Sequence, residues 1–458
     1  MIKKNTRSRP ASRHGMPLLT EALSKLPLIV TFACAVAAIG SPAFGSKKQR
    51  PVDKPATSKT LVATEGVEHL GRLAREPMVV ELSDGTLFVS GYDNNAEQSP
   101  GLWRSRDHGT TWESVSVGKK TDGAIGDSDV DLAVGPDDTV YFVAMTYDGE
   151  KHEGTHIAVG TSKNAGATWT WNVLSANRFD DRPWIGVTPN GPAHVIWNDG
   201  NGVRYEVSHD RGTSWKERPR INDQGGSSHL AIGPHGEIAV RITPRSASGN
   251  KFTPGVDLIA VSRDGGESWQ KHPAPGERDW SPDEDKGTPR WVEPLAWDGG
   301  GALYSLWGSQ NGLWLARSQN QGETWTNWHI RDEASYYPYL IARGRGELAA
   351  TWSSGKDDTL QAHVAAIHVG RGKAMPQVIE SQPFQTETWD RDPVVHRATA
   401  GEYIPIIFLR AGGLGVVTTI QSVVGIEEIV ARQRAGTTAI QSRPEKRFGF
   451  KWWKFVER

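Results

Sequence analysis

The chain has 458 residues and is close to charge balance, with 52 Lys/Arg against 53 Asp/Glu. An apolar fraction of 37% and a mean hydropathy of −0.50 fit a soluble globular body, with more residues than one small core needs. Gly 50 beside Trp 19 favours turn-rich, all-β architecture over helical packing.

The N-terminus reads as an export signal. Lys3, Lys4, Arg7, Arg9, Arg13 and Lys25 precede an apolar run from Leu26 to Ile39, and Ala43-Phe44-Gly45 supplies the small residues of a cleavage site. The run is short for a membrane span of roughly 20 residues, so cleavage before Ser46 is expected, with no stable span afterwards and a secreted or periplasmic mature protein. Residues 1–45 are the signal peptide and 46–60 a polar linker, and Met16 is an alternative start. The single Cys34 lies inside the signal, so the mature chain has no disulfide. Loss of the signal leaves 46 basic against 52 acidic residues, which argues against a nucleic-acid partner.

Five segments then share one pattern: Ser105 to Trp112, Ser162 to Trp169, Ser208 to Trp215, Ser262 to Trp269 and Ser318 to Trp325. Each has Ser, then Asp or Asn (Asp107, Asn164, Asp210, Asp264, Asn320), a central Gly, a Ser/Thr and Trp (Trp112, Trp169, Trp215, Trp269, Trp325). The Asp or Asn side chain suits bonding to backbone amides within a turn, Gly supplies a positive-φ position, and Trp supplies an apolar base. The tryptophans recur 57, 46, 54 and 56 residues apart, a periodicity that marks a repeat architecture.

A second repeat lies mostly ahead of these turns. An apolar strand, a Gly-containing turn and another apolar strand recur at Pro77–Gly91, Asp131–Met145, Pro183–Trp197, His229–Ile242, Pro294–Gly308, Tyr339–Ser353 and Pro393–Arg410. Strands apolar on both faces suit stacked blades. The expected fold is therefore an all-β propeller of four-stranded blades over residues 61–425, with seven blades preferred and six possible. The segment Leu61–Leu70 is a candidate closing strand, and residues 426–458 read as a C-terminal tail whose Lys451-Trp452-Trp453-Lys454-Phe455 run could touch a membrane or partner.

The five turns are Asp-boxes, and the chain resembles the sialidase (neuraminidase) superfamily and other Asp-box repeat proteins over roughly residues 70 to 420. The resemblance implies that the boxes are structural and distant from the active site. It also implies a carboxylate-clamping arginine at Arg75, in Arg75-Glu76-Pro77, and a second at Arg241. Tyr337, in Tyr337-Pro338-Tyr339-Leu340, matches the catalytic nucleophile, and Asp93 is the candidate general acid. The chain departs from the family at Ser309-Gln310-Asn311-Gly312, where a third arginine is expected, and at Ser227-Ser228-His229, where an activating Glu is expected.

Independently of any family, polar residues recur at the starts of the presumed innermost strands: Arg75/Glu76, Asp129/Asp131, Asp181/Arg182, His229, Arg290/Glu293, Tyr337 and Arg391/Asp392. They ring one mouth of a central channel, where they form either a ligand site or a plug of ion pairs. The expected ligand is a glycan or other anionic molecule held by Arg75, Arg182, Arg241, Arg290 and Arg391 with Glu293, and Trp184, Trp291 and Trp389 are available to stack on sugar faces. Asp127 to Asp131 has calcium-like spacing without the loop glycine, and the histidines form no close pair, so no metal and no cofactor is expected. A monomer is expected. Two functions remain open: an exo-glycosidase of sialidase type, and a non-catalytic propeller that binds glycan or protein.

Overall fold

Each glycine-turned apolar hairpin forms the two inner strands of a blade, and each Asp-box turn joins a third strand to a fourth. The computed structural model describes residues 59–64, 66–69, 75–92, 100–151, 153–243, 255–276, 279–280, 293–355, 359–388, 404–423 and 446–458. They belong to the unit Ser58–Arg458; Met1–Thr57, with the expected signal and most of the linker, lies outside the described residues.

The fold is a seven-bladed β-propeller of antiparallel sheets. The innermost strands are Arg75–Glu81, Val130–Val134, Asp181–Val187, Gly226–Ile232, Leu295–Trp297, Ser335–Arg343 and Ile406–Phe408 for blades 1 to 7. Each packs beside the innermost strand of the next blade, and blade 7 returns to blade 1. Among the described residues the one helical element is a single 3-10 turn at Lys120–Asp122, and no helix is long and apolar enough to cross a membrane.

Strands such as Leu87–Tyr92, Ala193–Asn198 and Ile238–Thr243 are buried along their whole length, because both faces of a blade meet a neighbour. The apolar clusters accordingly lie between blades. Ala296, Leu306 and Leu315 of blade 5 meet Leu340, Leu348 and Ile367 of blade 6 in one of them.

Blade 7 corrects the sequence reading in two places. Its inner hairpin turns at Leu409–Gly413, later than the Pro393–Arg410 unit, most of which lies outside the described residues. Its third strand is Lys446–Glu457, part of the segment read as a tail. Phe450 and Trp452 are buried there and make edge-to-face contacts with Trp112, the tryptophan of the first Asp-box. The aromatic-basic run is thus a blade strand, with apolar residues turned into the ring and Lys451 paired to Glu68. The fourth place in this sheet is taken by the other end of the chain. Leu61–Ala63 pairs with Phe455–Glu457, and Val67–His69 pairs with Phe450–Trp452. Closure of the ring therefore joins N- and C-terminal segments in one sheet.

The Asp-boxes form as their residue types dictate. In all five the Ser hydroxyl oxygen accepts the amide of the box glycine at 2.7–2.9 Å. The Asp or Asn Oδ1 accepts the amide four residues on at 2.8–3.0 Å. The box glycine also seats the turn on the preceding blade: Gly166 lies against Phe88, and Gly266 (φ +88°) lies against Tyr205.

Candidate functional site at the axial mouth

In an antiparallel blade the innermost strand starts at the end opposite the Asp-box turn, so the strand starts ring the face away from the boxes. Blades 1, 3 and 6 share one device there. Their pairing slips by one residue between Arg75 and Met78, between Asp181 and Trp184, and between Tyr336 and Tyr339. In each the bulged residue precedes a proline and has left-handed backbone: Glu76 at φ 46°, Arg182 at 50° and Tyr337 at 49°. Proline fits because the innermost strand is a sheet edge that needs no amide on that side. A left-handed non-glycine residue, here placed before proline, is strained by about 1–3 kcal/mol. Three copies at equivalent positions mark a built feature rather than an accident of one loop.

The device buries polar side chains around the mouth. Glu76, Arg182 and Tyr337, with Glu293 before Pro294 in blade 5, are 2–7% exposed. Arg75 is half-buried, with its guanidinium 5.6 Å from the centre of the Tyr92 ring, and Arg182 Nε lies 3.9 Å from Asp181 Oδ2. Tyr336 is half-buried beside Tyr337, its hydroxyl 3.4 Å from Gln310 Oε1, and burial raises its pKa.

One layer below, an aromatic bridge crosses the axis. The rings of Trp184 in blade 3 and His229 in blade 4 lie 5.0 Å apart, and Tyr339 of blade 6 meets His229 at 5.9 Å. The Tyr339 hydroxyl reaches Met78 Sδ of blade 1 at 3.7 Å. Burial disfavours charge in this layer. Burial lowers His229 to about 3 and raises Tyr339, while Asp131, also buried, is raised to about 7. Asp131 nevertheless ties blades 2 and 3 together, because its Oδ2 accepts the Ile185 amide at 2.9 Å.

The structure brings Arg75, Arg182, Glu293 and Tyr337 to the same end of their inner strands, and it moves Arg241 away from ligand binding. Arg241 lies on the second strand of blade 4 and is 0% exposed. Its Nη2 pairs with Asp257 at 2.7 Å and with Glu293, and its Nη1 donates to Ser305 Oγ at 3.1 Å. Two buried carboxylates neutralise it, so it is an inter-blade strut and not a free clamp for a substrate carboxylate. The same pairing commits Glu293 to structure. Asp93, Arg290 and Arg391, with Trp291 and Trp389, lie outside the described residues. The calcium-like segment is used internally: Asp127 Oδ1 accepts the Tyr147 amide, and Asp131 accepts those of Leu132 and Ile185. Among the described residues no cluster of three or more potential ligands could hold a metal ion.

The sequence pattern singles out Trp184 and His229 separately but carries no signal for the axial bridge or for the Arg241–Asp257 pair. The X-Pro at Glu76-Pro77, Arg182-Pro183 and Tyr337-Pro338 is the sequence signal of the bulge, and Glu293-Pro294 shares the dipeptide without it.

No protein-family model matches the chain, and no curated protein sequence matches it. Similar solved structures include a protein of unknown function from Dyadobacter fermentans (14% identity, covering 87% of this chain and 99% of that one, TM-score 0.46). An ulvan lyase of polysaccharide lyase family PL25 is 11% identical over 77% of this chain and 93% of that one, TM-score 0.47. A Hadza microbial sialidase is 15% identical over 69% of this chain and 68% of that one, TM-score 0.42. Glycan-acting propellers are thus among the proteins this fold is similar to, and at such identities no chemistry and no membership of the sialidase family follows.

Proposed function

We propose that the protein is an exported, monomeric propeller that binds an acidic glycan at the axial mouth. The observation that carries this reading is the triple bulge: three blades accept left-handed strain in order to bury Glu76, Arg182 and Tyr337 at equivalent places around one axis. A guanidinium there offers a planar pair of donors to a carboxylate, with Arg75 the more accessible of the two described arginines at the mouth. The half-buried phenol of Tyr336 offers a hydroxyl donor, and half-buried Asp181 offers an acceptor for sugar hydroxyls. Commitment of Arg241 to Asp257 and Glu293 favours binding over hydrolysis of the sialidase type, because it removes one arm of the carboxylate clamp that such chemistry uses.

A second reading, hydrolysis with Tyr337 as nucleophile, is favoured by that residue's strained left-handed backbone at the mouth. Release of the fluorophore from a fluorogenic sialoside separates the two. The binding reading expects no turnover and expects Tyr337→Phe to keep most of the affinity. Turnover abolished by Tyr337→Phe would establish the hydrolase instead. N-terminal sequencing of native protein tests export: a start at or near Ser46 is expected, and an intact Met1 in a cytosolic fraction contradicts it.

A further inference from the structure

On the opposite face, a cavity of about 390 Å³ opens between blades 5 and 6. Its origin lies in the repeat. The second Asp-box sets Gly166 against Phe88, the second residue of the second strand in blade 1. Tyr304 holds the equivalent position in blade 5, but blade 6 beside it has no Asp-box. Its third and fourth strands are joined by Val369-Gly370-Arg371-Gly372-Lys373 and the residues that follow, and the space beside Tyr304 is left open.

Three arginines line this space. Arg317 is 6% exposed and fixed: Nη1 donates to Gly370 O at 2.7 Å, Nη2 donates to Gly372 O, and the guanidinium lies 5.4 Å from the centre of the Trp328 ring. Arg345 and Arg371 are exposed, and among the described residues neither has a carboxylate partner. By contrast Arg104, Arg204 and Arg331 elsewhere on the propeller are each paired with an acid. Asp298, the one acidic residue in the lining, is already saturated. Its Oδ1 accepts the Gly300 and Ala302 amides at 2.8 and 3.0 Å, and its Oδ2 accepts the Gly346 amide at 2.8 Å and the Tyr304 hydroxyl at 3.1 Å. Gly300 also makes room for Arg345, whose Cζ lies 3.1 Å from where a Cβ at that position would be.

We propose that this cavity binds a sugar-sized molecule bearing a sulfate or phosphate group, with the oxyanion held by Arg345 and Arg371 over the fixed Arg317. The volume suits one monosaccharide-sized ligand. Two guanidiniums without acidic partners above a third, Arg317, which donates to the Gly370 and Gly372 carbonyls and is paired with no carboxylate among the described residues, leave net positive charge in a concave site, the condition for capturing an oxyanion. The site is separate from the mouth and stands whether or not the mouth binds glycan.

The test is calorimetric titration of the intact protein with inorganic sulfate, inorganic phosphate, a hexose sulfate, a hexose phosphate and the bare hexose. Saturable one-site binding of at least one sugar ester is expected, with none for the bare hexose and weakening as salt is raised. Arg345→Ala/Arg371→Ala should weaken it at least tenfold with an unchanged melting temperature. Arg75→Ala at the mouth should leave it unaffected. The inorganic ions show whether the oxyanion alone suffices, and the two esters distinguish sulfate from phosphate. Absence of saturable binding by the wild type, or binding unchanged in the double variant, overturns the proposal.

Discussion

The Arg241 guanidinium of blade 4 is ion-paired with the carboxylate of Glu293, which leads into the innermost strand of blade 5, and both are buried. The pair ties the wall between two blades to the mouth of the channel. Removing one partner strands a buried charge, at a cost of about 3–5 kcal/mol. Arg241→Ala should therefore lower unfolding free energy in urea by that amount. A variant of unchanged stability with lost ligand binding would restore Arg241 to the site.

The Asp-boxes should act on stability alone. Gly266→Ala puts a Cβ at φ +88° into the Tyr205 phenol, combining left-handed strain of about 1–2 kcal/mol with overpacking of about 1–3 kcal/mol. Asp210→Ala removes a turn cap, at about 0.5–2 kcal/mol. Both should lower the melting temperature in that order of severity while ligand affinity at the mouth stays as it was. Lost affinity at an unchanged melting temperature contradicts the structural role.

Acidity should act on the boxes and the axial layer in different pH ranges. Hydroxyl and amide donors from Thr111, Ser214 and Ser268 lower the Asp107, Asp210 and Asp264 carboxyls from 3.8 to about 2. Their contribution is present above about pH 4 and is lost as pH falls towards 2. His229, lowered to about 3 by burial, favours the folded state less and less as pH falls from about 6.5, because only the unfolded chain takes up its proton. Asp131 has the opposite sign. Raised to about 7 by burial, it binds its proton more tightly when folded, so its contribution falls as pH rises from about 4 to 7. Asp131→Asn should flatten that last slope, which urea unfolding at pH 5 and pH 8 would measure. An equal pH dependence in variant and wild type contradicts the assignment.

Ring closure depends on the last strand. Trp452→Ala opens a large cavity against Trp112 and should cost about 3–5 kcal/mol. Ending the chain before Lys446 removes the strand that pairs with both Leu414–Val423 and Leu61–Ala63, and should abolish cooperative unfolding. A truncated chain that melts as sharply as the full one would show that the seventh blade closes otherwise.

The boxes and inner hairpins were legible because their residues act locally: Ser208, Asp210, Gly212 and Ser214 bond within one turn, and the turn recurs. Lys446–Glu457 was not legible as blade. It follows Leu414–Val423 only after 22 residues, lacks a box and is rich in charge, although Phe450, Lys451 and Trp452 alternate as a half-buried strand does. Arg75, Arg182 and Tyr337 could be placed at strand starts from the hairpin pattern alone. The fate of Arg241 could not, because Asp257 and Glu293 reach it from different parts of the sequence and only blade packing brings them together.

The most direct test of the mouth is calorimetric titration of the intact protein with sialylated and uronate-containing oligosaccharides alongside their neutral counterparts. Saturable binding of at least one acidic oligosaccharide, and none of its neutral counterpart, is expected. Arg75→Ala should weaken binding by about 2–5 kcal/mol, the usual loss for a desolvated arginine–carboxylate contact. Arg75→Lys should recover only part of it, since lysine lacks the planar fork. Absence of binding to any acidic oligosaccharide, or binding that Arg75→Ala leaves unchanged, would rule out a ligand site at the mouth and leave Glu76, Arg182 and Tyr337 as a structural plug of the axis.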